Sequence, residues 1–432
     1  MKSTNSRDTW TPRSTGDLFA EGKLSIGDGY RAKNSELSTS GLPFARAGNI
    51  DGGFHFDDAD RFPEEDLAKV GDKVSQPGDV VFTSKGTVGR LAFVRATTPR
   101  FVYAPQLCYW RTLDPDVIDD RWLYYWMCGR EFKEQISGVK GQTDMADYVS
   151  LTDQRRMEIT LPPTAVQRAI AGVLGALDDK IEENRRTAGA LERLARAIFR
   201  AWFVDFEPVK AKAAGATSFP LMPQPVFDAL PTRFVESDIG PVPEGWEVNA
   251  MNECVHLTMG QSPPSAYYND TGDGLPFHQG VSDYGFRFPT HRVYCTVESR
   301  IAEPRDVLLS VRAPVGRINV ADRRLVLGRG LAGLRHPSNR QSFLLHQLSH
   351  VFAEEDAVGD GTIYKAVTKQ FLSQMPMLSP LDDAQEAFES IARPLDELVA
   401  ASEVESRKLA EMRDYLLPKL LSGQVRVEVA HG

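Results

Sequence analysis

One apolar register, used twice, constrains this chain more than any other feature. Residues 162–199 and 380–417 align without a gap at an offset of 218 positions. Gln167 falls on Gln385, Ile170 on Phe388, Val173 on Ile391, Leu177 on Leu395, Asp178 on Asp396, Ile181 on Val399, Leu191 on Leu409 and Leu194 on Met412. A single inserted residue would rotate every later side chain by about 100° off its face, so ungapped agreement over this length marks a duplication. The chain reads as two half-molecules.

In the first copy, Ile170, Val173, Leu174, Leu177, Ile181, Ala188, Leu191, Leu194 and Ile198 recur at steps of three and four. They form one stripe of a helix whose remainder carries Asp178, Asp179, Glu182, Glu183, Arg185 and Arg186. Thr164, just beyond Pro162-Pro163, is a candidate N-cap, and Pro208 stops the run after Trp202. About 35 residues at roughly 1.5 Å each reach about 52 Å, more than one small core requires, so the stripe calls for a partner helix. The second copy offers Phe388, Ile391, Leu395, Val399, Leu409, Met412 and Leu416 as the matching stripe. Antiparallel packing of the two predicts a pseudo-twofold arrangement. Asn184 and Ser402 are equivalent polar positions that either fix this register or face solvent. Pro394, where the first copy has Ala176, predicts a kink or a helix that begins near Leu395.

Upstream of each helix lies a region of short β-type runs and Gly/Pro turns, and these regions also correspond. Leu42-Pro43-Phe44 matches Leu275-Pro276-Phe277. Asp79-Val80-Val81-Phe82 followed by Val88-Gly89-Arg90 matches Asp306-Val307-Leu308-Leu309 followed by Val315-Gly316-Arg317, with the same spacing. The pattern reads as strand, tight turn, strand. Gly141-Gln142-Thr143 and Gly361-Thr362 recur shortly before each helix. The fold class expected is therefore α+β, two similar mixed α/β domains separated by two long antiparallel helices. The expected boundaries are 1–160 for the first domain, 161–206 for the central helix, 207–243 for a proline-rich linker, 244–379 for the second domain, 380–424 for the C-terminal helix and 425–432 for a tail.

Composition narrows the function. Apolar content of 42% and charged content of 25% suit a soluble globular protein, with no apolar run long enough to span a membrane. The polar start, Met1 to Arg7, is not a secretory signal. Cys108, Cys128, Cys254 and Cys295 show no CxxC spacing and read as thiols of a reducing, cytoplasmic compartment. A net charge of −9 argues against a globally basic nucleic-acid binder, yet nine arginines fall between Arg300 and Arg340 while the second helix is acidic, so charge is segregated by segment. Arg46 and Asn49 follow one Leu-Pro-Phe, and His278 and Gln279 follow the other, all types that contact base edges. Lys85, Thr87 and Arg90 accompany the first turn, Arg312 and Arg317 the second, and these suit phosphates. Each alone is as readily a solvated loop residue; their recurrence in both halves raises the group.

No catalytic signature accompanies them. The chain has no GxxxxGK loop and no dinucleotide fingerprint. Ser262 and Ser265 flank Pro263-Pro264 where a base methyltransferase loop needs an amide or acid and an aromatic ring. His346 and His350 lack the glutamate of HExxH, so neither a metal site nor a bound cofactor is expected. The residues alone leave three readings: a bipartite nucleic-acid reader, a scaffold that arranges proteins without reading bases, and an enzyme with an unrecognised site.

Family-specific borders favour the first. Leu161-Pro162-Pro163 with Gln167 opens the first helix, Ala201-Trp202-Phe203-Val204-Asp205-Phe206-Glu207-Pro208 closes it, and Gly240-Pro241-Val242-Pro243-Glu244-Gly245-Trp246 leads into the second half. These resemble the specificity subunit of type I DNA restriction-modification enzymes. The resemblance implies a non-catalytic subunit with two target recognition domains, each reading one part of a split sequence in double-stranded DNA. It implies that Leu42 to Asn49 and Leu275 to Val281 lie in those domains. It also implies that Ile170, Leu177, Ile181, Leu191, Phe388, Leu395, Val399 and Leu409 belong to an antiparallel spacer that docks two methyltransferase subunits. Those subunits would bind S-adenosylmethionine and methylate adenine, and restriction subunits would use ATP and Mg2+. The departures are Pro394 and a start with only Trp10-Thr11-Pro12 in place of Pro-Glu-Gly-Trp.

Overall fold

The structure, a computed structural model, describes residues 10–139, 148–353, 357–358, 362–363 and 366–428. Gly141-Gln142-Thr143, Gly361, His431 and the polar first seven residues lie outside the described residues. Tertiary contacts divide the chain into two units, Met1–Ile181 with Lys408–Gly432, and Glu182–Arg407.

In the first unit, a four-stranded antiparallel sheet runs in the order Leu24–Asp28, Leu107–Thr112, Val80–Thr83, Leu91–Phe93. Val80–Thr83 is buried on both faces, which its unbroken apolar run requires. Val80 and Phe82 meet Trp110, Trp122 and Phe132 on one side, while Val81 meets Ala92, Phe101 and Tyr103 on the other. A smaller sheet places Leu42–Ala45 between Arg61–Phe62 and Val102–Tyr103, with Phe44-Ala45 parallel to Val102-Tyr103.

The second unit repeats this plan. Its four-stranded sheet has the order His256–Met259, Leu331–Arg335, Val307–Ser310, Ile318–Val320. Val307 and Leu309 face one apolar cluster and Leu308 another. In its other sheet, which has five short strands, Leu275–His278 lies between Tyr294–Cys295 and Leu325–Leu327, again with a parallel pair, Phe277-His278 against Val326-Leu327.

The repeated aspartate explains why the motif survives in both halves. Asp79 receives a bidentate grip from Arg111, Nε to Oδ1 at 2.6 Å and Nη2 to Oδ2 at 2.8 Å. Asp306 receives the same grip from Arg335 at 2.7 and 2.9 Å. Each pair ties the start of one central strand to its neighbour. The residue before each aspartate is left-handed, Gly78 with φ 93° and Arg305 with φ 72°.

The two repeated segments fold as helices Thr164–Phe203 and Asp382–Leu421, each of 40 residues. Their shared glutamine locks the start. Gln167 Nε2 donates to the Pro162 carbonyl and Gln385 Nε2 to the Pro380 carbonyl, both at 2.8 Å. Thr164 is not the cap: it is the first helical residue, and its hydroxyl donates to the Asp116 carbonyl at 2.7 Å. Within each unit the segments run antiparallel. In the first, Ile170 and Leu174 share a core with Leu420, and Arg413 Nη1 donates to Asp178 at 2.8 Å. In the second, Ile198, Phe199 and Trp202 pack with Ala384, Phe388 and Ala392. There Asn184 Nδ2 donates to Glu405 at 2.7 Å and reaches the carbonyl of its repeat-equivalent, Ser402, at 3.5 Å. Asn184 is buried and does not face solvent.

Three residues of the expected stripe turn outward. Val173 is 42%, Leu194 47% and Met412 51% exposed, the last two being repeat equivalents. Buried Ala188 and Ala195 show that the contact face is centred about 110° from Leu194, on small residues that admit close approach. Pro394 neither begins the helix nor interrupts it. Its missing N–H leaves one intrahelical bond unmade, so Pro394→Ala is expected to stabilise the chain by roughly 1–3 kcal/mol in urea denaturation. An unchanged or lowered midpoint would show that the backbone has no such defect.

Residues 207–243 are ordered and packed. Helices Glu207–Ala213 and Gln224–Ala229 bury Val209 and Phe227 against Trp202, Phe203 and Trp246, and a hairpin of Phe234–Val235 with Val242–Pro243 follows. No helix is long and apolar enough to cross a membrane, among the described residues.

Candidate nucleic-acid interface

The strand pair Val80–Thr83 and Leu91–Phe93 is closed by a turn that Thr83 organises. Its hydroxyl donates to the Thr87 carbonyl and accepts the Arg90 N–H at 3.0 Å, and Gly89 N–H donates to Thr83 O at 3.0 Å. Lys85 and Thr87 are thereby displayed, exposed, at its tip. Arg90 is committed sideways, donating to the Ala47 carbonyl at 3.3 Å and pairing with Asp51 at 3.1 Å. It joins the turn to the loop after Leu42–Ala45, so Arg46, Asn49, Lys85, Thr87 and Arg90 come together. Asn49 spends its amide inside that loop: Oδ1 accepts the Arg46 N–H at 2.8 Å and Nδ2 donates to His55 O at 3.0 Å. Arg46 is exposed, with Nη1 2.5 Å from Asp60 and its guanidinium 5.6 Å from the Phe44 ring centroid.

The second unit builds the same turn with Ser310. Its hydroxyl donates to Pro314 O at 2.6 Å and accepts Arg317 N–H at 2.8 Å, and Gly316 N–H donates to Ser310 O at 3.1 Å. Arg312 and Arg317 are exposed on it. Val311 N–H donates to Gly330 O at 2.9 Å and Gly330 N–H to Gln279 O at 3.1 Å, which brings Gln279 beside the turn. Gln279 is exposed; its Oε1 accepts the Ser262 hydroxyl at 2.8 Å.

His278 differs from the expectation of a base-contacting side chain, because it is buried at 1% exposure. Its Nε2 lies 3.0 Å from His291 Nδ1, and His291 Nε2 lies 2.8 Å from Asp322. A carboxylate can only accept, so His291 carries a proton on Nε2, and in its neutral form its Nδ1 accepts from His278 Nε2. Burial, with His291 beside it, pushes the His278 pKa down to about 4, leaving it neutral at pH 7. It supports the loop from within.

Sequence reasoning weighed Ser262 only as a mismatch to a methyltransferase loop and did not single out Arg329, whose N–H donates to the Ser262 hydroxyl at 3.2 Å. A signal was available in Gly260. A Cβ there would lie 2.1 Å from Gly328 O, and one on Gly29 would lie 2.0 Å from Ala104 O. A glycine at the same strand exit in both halves marks where two loops cross at backbone contact. Among the described residues no group of three or more His, Cys, Asp or Glu side chains is arranged to hold a metal. Each unit presents an apolar scaffold edged by cationic and amide side chains on convergent loops, chemistry suited to phosphates and base edges.

Residues 7–193 match the type I restriction modification DNA specificity domain. A protein of Methanocaldococcus jannaschii assigned as the MjaX type I restriction enzyme specificity subunit is 27% identical over 376 residues, covering 84% of this chain and 82% of that one. The HindI type I restriction enzyme specificity subunit of Haemophilus influenzae is 23% identical over 414 residues, covering 84% and 89%. In fold, the chain is similar to the type I restriction-modification S subunit from M. genitalium, with a TM-score of 0.58, 16% identity and coverage of 95% and 96%. The duplicated heads, the two long helices and these relatives point the same way: residues 7–193 match the type I restriction modification DNA specificity domain, and over most of its length the chain is similar to specificity subunits of type I restriction enzymes.

Proposed function

We propose that this chain recognises a split target in double-stranded DNA, one component through each head, and directs methyltransferase and restriction subunits to it. The observation that carries the reading is the repeated loop site: the same sheet order and hydroxyl-locked turn hold different exposed side chains, Arg46 and Lys85 in one unit, Gln279, Arg312 and Arg317 in the other. A shared frame with unlike contact residues is what two half-sites of unlike sequence require. The repeated helices serve as the spacer between components and as the docking surface for two methyltransferase subunits. S-adenosylmethionine, ATP and Mg2+ belong to the partner subunits, and the assembly works in the cytoplasm.

The net charge of −9 leaves this chain alone with a weak hold on phosphates. Methylome sequencing of cells carrying the chain with its partners is expected to show modified adenines confined to a motif of two short components separated by unread bases. In solution the complex is expected to bind that motif, with the chain alone binding weakly and losing its hold as salt rises. Tight sequence-specific binding by the isolated chain would refute the need for partners, and methylation in a continuous motif would refute the split target.

A further inference from the structure

Directly after the parallel-paired strand, Leu42–Ala45 in one head and Leu275–His278 in the other, the two heads carry different side chains at the same place. Ala45 opposes Tyr103 and His278 opposes Leu327 in matching registers, and the next residues are Arg46 and Gln279. Both backbones are clamped. Ala104 N–H donates to Ala45 O at 2.9 Å and Asn49 N–H to Arg46 O at 2.9 Å; Gly328 N–H donates to His278 O at 2.8 Å and Gly330 N–H to Gln279 O at 3.1 Å.

The side chains are held as well. Asp60 takes one side of the Arg46 guanidinium, and the Ser262 hydroxyl occupies one lone pair of Gln279 Oε1. Ser262 is itself fixed by the Arg329 N–H. With Oε1 engaged, Gln279 keeps its Nε2 donors and one lone pair for a ligand. Long exposed side chains ordinarily lose rotamer freedom on binding; these two have lost much of it already.

We propose that Arg46 and Gln279 are the specificity-determining residues of the two heads, with Asp60 and Ser262 as positioning residues that set their angle. A guanidinium pairs with guanine O6 and N7, and a carboxamide with adenine N6 and N7. The two components of the target therefore differ at the base pairs these residues face, guanine for Arg46 and adenine for Gln279. This inference rests on the reading of split-target recognition given above.

The test uses the chain in complex with its methyltransferase partner, and binding to the wild-type motif and to each single-base variant of it. Gln279→Glu, which replaces the donor edge by acceptors, is expected to cost roughly 10- to 100-fold at one base pair of one component. Ser262→Ala is expected to relax discrimination at that same base pair and nowhere else. Arg46→Gln is expected to change preference at one base pair of the other component. These positions lie on exposed or half-buried loops, so the cores are untouched. Unchanged preference in Gln279→Glu and Arg46→Gln, or a Ser262→Ala effect spread evenly over all base pairs, overturns the proposal. A wild-type complex with no split motif overturns the functional reading itself.

Discussion

Asp79→Ala is expected to destabilise the first unit by about 3–5 kcal/mol, because it strands a buried guanidinium. Asp79 is 0% and Arg111 8% exposed, and the carboxylate also accepts the Tyr103 hydroxyl at 2.6 Å and the Gln76 N–H at 2.8 Å. Removing it leaves one charge and two donors without their acceptor. The companion change Arg111→Met in the same chain is expected to recover much of the loss, since an apolar side chain needs no partner. Asp306→Ala tests the same motif in a wetter setting. The Arg335 side chain is 41% exposed and is solvated once released, so the cost falls to about 1–2 kcal/mol. Hydrogen exchange across Val80–Thr83 and Val307–Ser310 in the full chain reads the two effects separately. Equal losses at the two aspartates would show that burial is not what distinguishes them.

Phe388→Ala is expected to cost the second unit about 3–5 kcal/mol. The ring is 0% exposed, with centroids 5.5 Å from Phe199, 5.6 Å from Phe203, 6.3 Å from Trp202 and 6.2 Å from Phe343. These partners come from the central helix and from the second head, so one cavity loosens three elements together. Phe388→Leu keeps most of the volume and costs less. Urea denaturation followed by the fluorescence of Trp202 and Trp246 gives the midpoint, and an alanine variant as stable as the parent would mean that the cluster is not cooperative.

Much of the architecture was legible in the sequence because duplication supplies its own control. Asp79 and Asp306 recurred at fixed spacing from their turns, and both prove to be braces for a strand pair. Gln167 and Gln385 recurred too, although only the folded chain shows each amide reaching back to a proline carbonyl. The helical stripe was legible in period but not in phase at its edges: Val173, Leu194 and Met412 satisfy steps of three and four, yet small Ala188 and Ala195 set the actual contact line. The loop site was the least legible part. His278 follows the same Leu-Pro-Phe as an exposed residue would, and its burial depends on His291 and Asp322, which are distant in sequence. Ser262 touches Gln279 across 17 positions, a contact that no local pattern encodes.

The left-handed residue ahead of each brace differs between the heads, glycine in one and arginine in the other. Arg305 sustains a conformation that suits glycine, with its guanidinium 3.6 Å from the buried carboxylate of Glu389. At Gly78 a Cβ would lie 2.5 Å from the tip of the Asp120 carboxylate, which would have to turn aside to admit a side chain. Grafting the second lobe's arginine onto the first thus requires Asp120 to rotate, whereas the reverse exchange relaxes the backbone and gives up the contact with Glu389.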